Sequence, residues 1–193
     1  QSVALNGRAW GRTALVGVGT PYGTLTLGRQ YTVAHEMSGR IQPQSNPNQD
    51  SLSVFSSHHV ARQDNMAKYT HKFGPVSIAL TKTAGEGTNG SAWGAAASYT
   101  EGPIDLVAYG QEMDSFNGAE TRKIFGFGTN YAVTSSLKVY LGGMQRSHDV
   151  SRQKNKVVTA GANYHLTPQL LLIASYTQDR QSGTSTGSRK VTW

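Results

Sequence analysis

The groups in this sequence that could do chemistry are six histidines, eleven acidic residues, eighteen lysines and arginines, and many serines and threonines. His35-Glu36-Met-Ser-Gly39 begins like a zinc-protease helix motif, but the position of the second histidine is occupied by Gly39. Without two imidazoles on one helix face that motif holds no zinc. His58 and His59 are adjacent and would point opposite ways in a strand, and no further ligands can be placed beside them. There is no cysteine, which excludes disulfides and thiolate metal sites. No motif sets a serine beside a histidine and an orienting group. The sequence therefore implies no enzyme and no cofactor, and its charges point to electrostatics rather than bond making.

Seven of the candidate groups lie in one stretch. The long segment from Gln30 to Asp64 carries His35, Glu36, Arg40, Asp50, His58, His59 and Arg62. Loops beyond about 12–15 residues are uncommon in compact domains and are usually functional or disordered. Every other connection reads as a short turn or a modest polar loop. Function is expected where this one long loop meets the scaffold.

The scaffold's composition narrows the classes. Of 193 residues only 15% are charged, 22 are Gly, and the formal net charge is +7. An average soluble domain carries about 25% charged residues, so this surface is short of charge. A basic excess suits nucleic acid or a lumen for small anions. The basic residues are scattered, with no basic stripe or aromatic platform, which speaks against nucleic acid as a partner. No run approaches the ~18 apolar residues of a membrane helix. Gln1-Ser-Val-Ala-Leu-Asn-Gly7 lacks the basic start and apolar core of a signal peptide. The expectation is that a signal has been removed or that the chain begins inside a larger protein.

Alternation supplies the elements. Ala14, Val16 and Val18 alternate with Thr13, Leu15 and Gly17, and Gly23-Thr-Leu-Thr-Leu-Gly-Arg29 follows a turn. Beyond the long loop, Asn65-Met-Ala-Lys-Tyr-Thr70, Val76 to Thr81, Trp93 to Tyr99, Ile104 to Tyr109, Ile124 to Tyr131, Leu137 to Gly142, Val157 to Tyr164 and Leu170 to Tyr176 each alternate with period two. Arg189-Lys-Val-Thr-Trp193 looks like the start of one more strand. Tight turns alternate with longer polar loops. One face of each strand is apolar and closes on an aromatic near the tight turn (Tyr69, Tyr99, Tyr131, Tyr164), while the other face is Gly, Ser, Thr, Asn or Lys. That is the pattern of a transmembrane antiparallel β-barrel with an apolar outer band and polar interior. Backbone groups in lipid can be satisfied only if such strands close on one another. The alternative is a soluble β-sandwich or barrel serving as a binding or adhesin module, which also alternates.

The residues also carry a resemblance. Gly23-Thr-Leu-Thr-Leu-Gly-Arg-Gln-Tyr31, the long loop, and Arg62-Gln-Asp-Asn-Met-Ala-Lys-Tyr-Thr70 together resemble the general porins of Gram-negative bacteria, in particular the β-proteobacterial branch. The Phe73-Gly-Pro75 turn, Gly94-Ala-Ala-Ala-Ser-Tyr99 with Gly102-Pro103, and Gly161-Ala-Asn-Tyr-His-Leu-Thr-Pro168 follow in that family's order. The resemblance implies an all-β, up-and-down barrel of roughly sixteen strands. About eleven strand segments are present, an odd number that would leave mismatched edges. Residues 1–193 are accordingly expected to form one porin β-barrel domain incomplete at both ends, about strands four to fourteen.

The resemblance further implies residues 30–64 as a constriction loop folded inward, homotrimers in the lipid bilayer of the outer membrane, and passive diffusion of small hydrophilic solutes and inorganic ions. In this family acidic loop residues face a basic wall, and the transverse field sets charge preference. By parity Lys68 and Lys138 are expected on that wall, with Asp105 as an inward acid. Arg12 and Arg29 are further candidates, although Arg29 shares parity with Leu25 and Leu27 and reaches the lumen only if its strand ends or bulges. The loop is less acidic than the family version, so the expected preference is weakly for anions.

Overall fold

The structure is a computed structural model that describes residues 11–41, 60–85, 89–115, 117–183 and 187–192. These residues form eleven strands and one helix. The order is β1 (Ala14–Thr20), β2 (Gly23–Tyr31), α1 (Val33–Arg40), β3 (Arg62–Phe73), β4 (Val76–Thr83), β5 (Asn89–Glu101), β6 (Ile104–Ser115), β7 (Thr121–Ala132), β8 (Leu137–His148), β9 (Lys154–Thr167), β10 (Leu170–Ser182) and β11 (Gly187–Thr192). All eleven strands pair with their sequence neighbours in one antiparallel sheet, with β1 and β11 at its edges. Tight turns join β1–β2, β3–β4, β5–β6, β7–β8 and β9–β10, and the longer connections all lie at the opposite end. Gly74 and Gly102, at φ +56° and +55°, let two of the tight turns close.

The two faces are chemically distinct, as period-two alternation requires. The outward face exposes Val16 (70%), Phe125 (58%), Phe127 (55%), Leu141 (51%) and Val158 (52%). Register places those of β7, β8 and β9 side by side: Phe127 faces Gly143, Leu141 faces Ala160, and Gly143 faces Val158. Soluble monomers rarely expose a contiguous apolar patch larger than a few hundred Å². A sandwich would cover such a face with a second sheet, and the described residues supply none. The apolar face is a lipid-facing one, which removes the ground for the soluble-module alternative.

The opposite, inner face is where α1 packs. Val33, Ala34 and Ile41 are fully buried there, clustered with Ala79, Ala96, Val107, Tyr109, Ile124, Met144 and Val157. The small residues of this face leave room for the helix. A Cβ at Gly128 would lie 2.5 Å from the Ile41 side chain, and one at Gly142, directly across the ladder, 2.4 Å from it. Such contacts are sterically forbidden, so Gly128 and Gly142 form the seat into which Ile41 drops.

The expected boundaries need correction at three places. The segment 30–64 is not irregular throughout: β2 runs to Tyr31, α1 occupies Val33–Arg40, and β3 begins at Arg62. The alternating stretch Leu137 to Gly142 extends further, because β8 continues to His148, and β9 starts at Lys154 rather than Val157. The stretch Ile104 to Tyr109 likewise continues, as β6, to Ser115. In each case the strand continues through charged residues because these keep the alternation while leaving the apolar band.

Candidate functional site

Thr32 starts the helix. Its side chain accepts a hydrogen bond from the His35 amide (3.3 Å), capping one of the donors that every helix start leaves unpaired. The same hydroxyl donates to the Val60 carbonyl (2.8 Å), and the Thr32 amide donates to the Ala61 carbonyl (3.0 Å). The departing and returning arms of the long connection are therefore tied together at the base of α1.

Two ion pairs then fix α1 across the inner face. Lys68 of β3 donates to Glu36 at 2.7 Å, and its side chain is only 8% exposed. At the other end of the helix, Arg40 meets Asp105 of β6 at 2.5 Å and also donates to Ser98 (2.8 Å) and Thr100 (2.9 Å). Thr100 donates to the same Asp105 oxygen at 2.8 Å. Asn130 of β7 donates to the Arg40 backbone carbonyl and to Asp105 (3.3 Å). The helix thus bridges strands β3, β5, β6 and β7 with a carboxylate and a cation of its own, each matched on the wall. Recesses of about 490 Å³ and about 400 Å³ flank it; the first is lined by Glu36, Arg40, Lys72 and Ser98 among others, the second by Arg40, Asp105, Asn130 and Lys138.

At the helix start His35 stacks on Tyr31, with centroids 4.6 Å apart, and the Arg62 guanidinium lies 4.0 Å from the Tyr31 ring centre. Arg62 also donates to the Tyr31 hydroxyl. Burial and then the Arg62 charge hold the His35 pKa below its ordinary value. His35 is thus biased toward the neutral form in this position.

Of the residues singled out in the sequence, the structure brings together His35, Glu36, Arg40, Arg62, Lys68 and Asp105, and sets Lys138 beside them on the inner face. Asp50, His58 and His59 lie outside the described residues. Two expectations fail. Arg29 does not reach the lumen; it pairs in register with Ala14 on the outward face and forms an ion pair with Asp64 at 2.8 Å. A register shift between Gly28 and Gln30 does occur, but its extra residue lies on β3 between Met66 and Gln63, where Asn65 has φ +51°, so β2 keeps its alternation and Gln30, not Arg29, faces inward. Gln30 is buried and donates to the Met66 carbonyl. Arg12 is exposed ahead of β1 and joins neither the helix nor the wall.

Sequence reasoning missed Lys72, Arg122 and Arg146, all at inner-face positions. Lys72 follows Lys68 and Thr70 on β3 and pairs with Ser77. Arg122 continues the row Ile124, Gly126, Gly128 on β7, and Arg146 continues Gly142 and Met144 on β8. Extending the alternation by two residues on β3 and β7, and by four on β8, would have found them. Arg146 donates to Asn155 at 2.7 Å, and Asn155 in turn donates to Asp179 at 3.2 Å. Arg122 has no ion-pair partner among the described residues. In the loop before β7, hydrogen bonds from Ser151 and His148 hold the Glu120 pKa down at about 2. Among the described residues no cluster of three His, Cys, Asp or Glu is arranged to hold a metal ion.

Comparison with known proteins completes the picture. The Gram-negative porin family profile matches residues 3–188. No curated protein matches the sequence. Among solved structures, a loop-deletion mutant of OmpT, an outer membrane protein of Vibrio cholerae, superposes with a TM-score of 0.50 at 15% identity, covering 93% of this chain and 78% of that one. An in-vitro folded OmpT in its trimer form gives 0.50 at 14% identity, with 94% and 80% covered. An anion-selective porin from Comamonas acidovorans gives 0.50 at 13% identity, with 94% and 72% covered. At such identities the structural likeness speaks to the fold, and the profile match speaks to the family. The chain belongs to the Gram-negative porins, the channel-forming β-barrels of the outer membrane.

Proposed function

We propose that this porin is a passive diffusion channel for small hydrophilic solutes and inorganic ions, with a weak preference for anions, no cofactor and no enzymatic step. The observation that carries this reading is the strapping of α1 across the inner face by Glu36–Lys68 and Arg40–Asp105. A helix held there narrows the lumen without blocking it, and fixed charges inside a narrow, low-dielectric passage bias which ions enter. The anion leaning differs in origin from the sequence-based expectation. Lys68 is neutralised by Glu36 and Arg40 by Asp105, so the unmatched wall charge rests on Lys72, Lys138 and Arg122. The homotrimer implied by the family resemblance belongs to the same proposal; one of the similar structures is described as a trimer form.

Planar-bilayer recording of the refolded protein under a salt gradient tests the reading. Discrete conductance steps with a reversal potential on the chloride side support both the channel and the basic wall. Steps on the cation side keep the channel and overturn the charge assignment. Absence of steps overturns the channel.

A further inference from the structure

Two side chains of β10 depart from the polar character of the inner face. The strand opens as Leu170-Leu-Leu-Ile-Ala174, apolar on both sides, where alternation calls for a polar residue at every second position. Leu170 and Leu172 are exposed on the outward face, as lipid requires. Leu171 and Ile173 face inward, in register with His165 and Asn163 of β9. Ile173 is 39% exposed and Leu171 half-buried, and both lie beyond the strands on which α1 packs. Apolar surface left facing water in a passage for polar solutes is unfavourable, and an occupant with an apolar part would relieve it.

One row across the ladder joins this patch to two polar groups. Lys138 of β8 faces Asn163, and Asn163 faces Ile173. Lys138 is exposed and makes no ion pair or side-chain hydrogen bond among the described residues. Asp105, the inner-face carboxylate of the tight-turn end, is already held by Arg40, Thr100 and Asn130. Asn163 is only 2% exposed, yet neither its amide nitrogen nor its amide oxygen has a partner. A buried amide left unpaired costs free energy that a bound acceptor recovers.

We propose that Lys138, Asn163, Leu171 and Ile173 form a subsite for small carboxylates that carry an apolar tail, such as short alkyl carboxylates. Ligand sites of this kind combine an apolar surface with a few placed polar groups. The Lys138 ammonium takes the carboxylate as a compact point charge, and the Asn163 amide donates to its second oxygen. Strands lie about 4.8 Å apart, so Ile173 is about 10 Å from Lys138 across two ladders, a span that a short alkyl carboxylate bridges. Its tail then lies on Ile173 and Leu171 and removes apolar surface of both partners from water. Lys138 also lines the recess of about 400 Å³ beside α1, so a solute that passes the helix meets this cation next. The subsite rests on the channel reading and deepens it, by naming amphiphilic monocarboxylates as a solute class.

The test records chloride current through single refolded channels while sodium hexanoate or sodium acetate is added, two probes that differ only in the tail. Hexanoate is expected to half-block the current at a concentration about tenfold lower than acetate, because its methylenes leave water on binding. Leu171→Thr with Ile173→Thr should abolish that difference and leave chloride conductance unchanged. Lys138→Gln should raise the half-blocking concentration of hexanoate several-fold. Equal block of the parent by the two probes overturns the subsite, as does discrimination that survives in the double threonine variant. Chloride steps without discrimination count against the subsite alone, whereas absence of chloride steps overturns the channel reading beneath it. Should the double variant fail to refold, Ile173→Thr alone is read the same way, with the difference expected to shrink to a few-fold.

Discussion

Lys68 and Lys138 share the inner face but not their surroundings, and their substitution separates positioning from selectivity. Lys68 is almost fully buried against Glu36. In Lys68→Glu two carboxylates meet, and the helix loses one of its two anchors. Glu36 is more than a third exposed, so solvent screens the pair and the loss is on the order of 1 kcal/mol rather than the several of a fully buried pair. We expect altered conductance and faster current noise from that variant. Lys138 is exposed and has no partner among the described residues. Lys138→Glu should shift the reversal potential toward cations and leave conductance nearly unchanged. A reversal potential that stays put would remove Lys138 from the ion path. Parity in the sequence was sufficient to set Lys68, Lys138 and Asp105 inward. It could not show that Glu36 reaches Lys68, because that contact joins residues 32 positions apart through a helix the sequence did not reveal.

The helix is the element on which the channel reading depends, and its seat is made by absence of side chain. Ile41 occupies the space above Gly128 and Gly142. Gly128→Val would force Ile41 out at a cost of about 1–3 kcal/mol, typical of overpacking. The expected result is a wider pore with raised single-channel conductance and an intact barrel by circular dichroism; unchanged conductance would mean that α1 does not set the narrowest section. Acid acts on the other end of the helix. The His35 pKa is lowered in the folded state, so its stabilising contribution is complete above the unfolded value of about 6.5 and is lost as pH falls through the lowered folded value. Current noise should therefore rise on acidification below the ordinary imidazole value of about 6.5, and His35→Gln should lack that step. A step that survives in His35→Gln would assign it to another group. The strands were legible in the sequence because period-two alternation is enforced on both faces at once, by lipid outside and by polar lumen inside. The eight residues of α1 were not, since one capping threonine and two turns leave too little periodicity to read inside a polar loop.

At the scale of the whole molecule, charge preference is a sum over the inner face, and the sum is not carried by the residues nearest the helix. The two helix ion pairs cancel internally. Lys72, Lys138, Arg122 and Arg146 remain against Asp179, which the Asn155 bridge connects to Arg146. The balance is positive, and much of it lies toward the long-loop end, at Arg122 and Arg146, where solutes arrive from outside. A field of this kind acts over a Debye length, ~10 Å at 0.1 M salt and ~3 Å at 1 M. The anion preference should therefore be clear when the mean salt concentration is near 0.1 M and should nearly vanish near 1 M. Arg122→Gln with Arg146→Gln should reduce the low-salt preference and move the reversal potential toward zero, with little change at high salt. If the double variant keeps the parent's low-salt reversal potential, the preference arises at the helix or below it. If its conductance at high salt changes along with the preference, the pore's width has changed rather than its field.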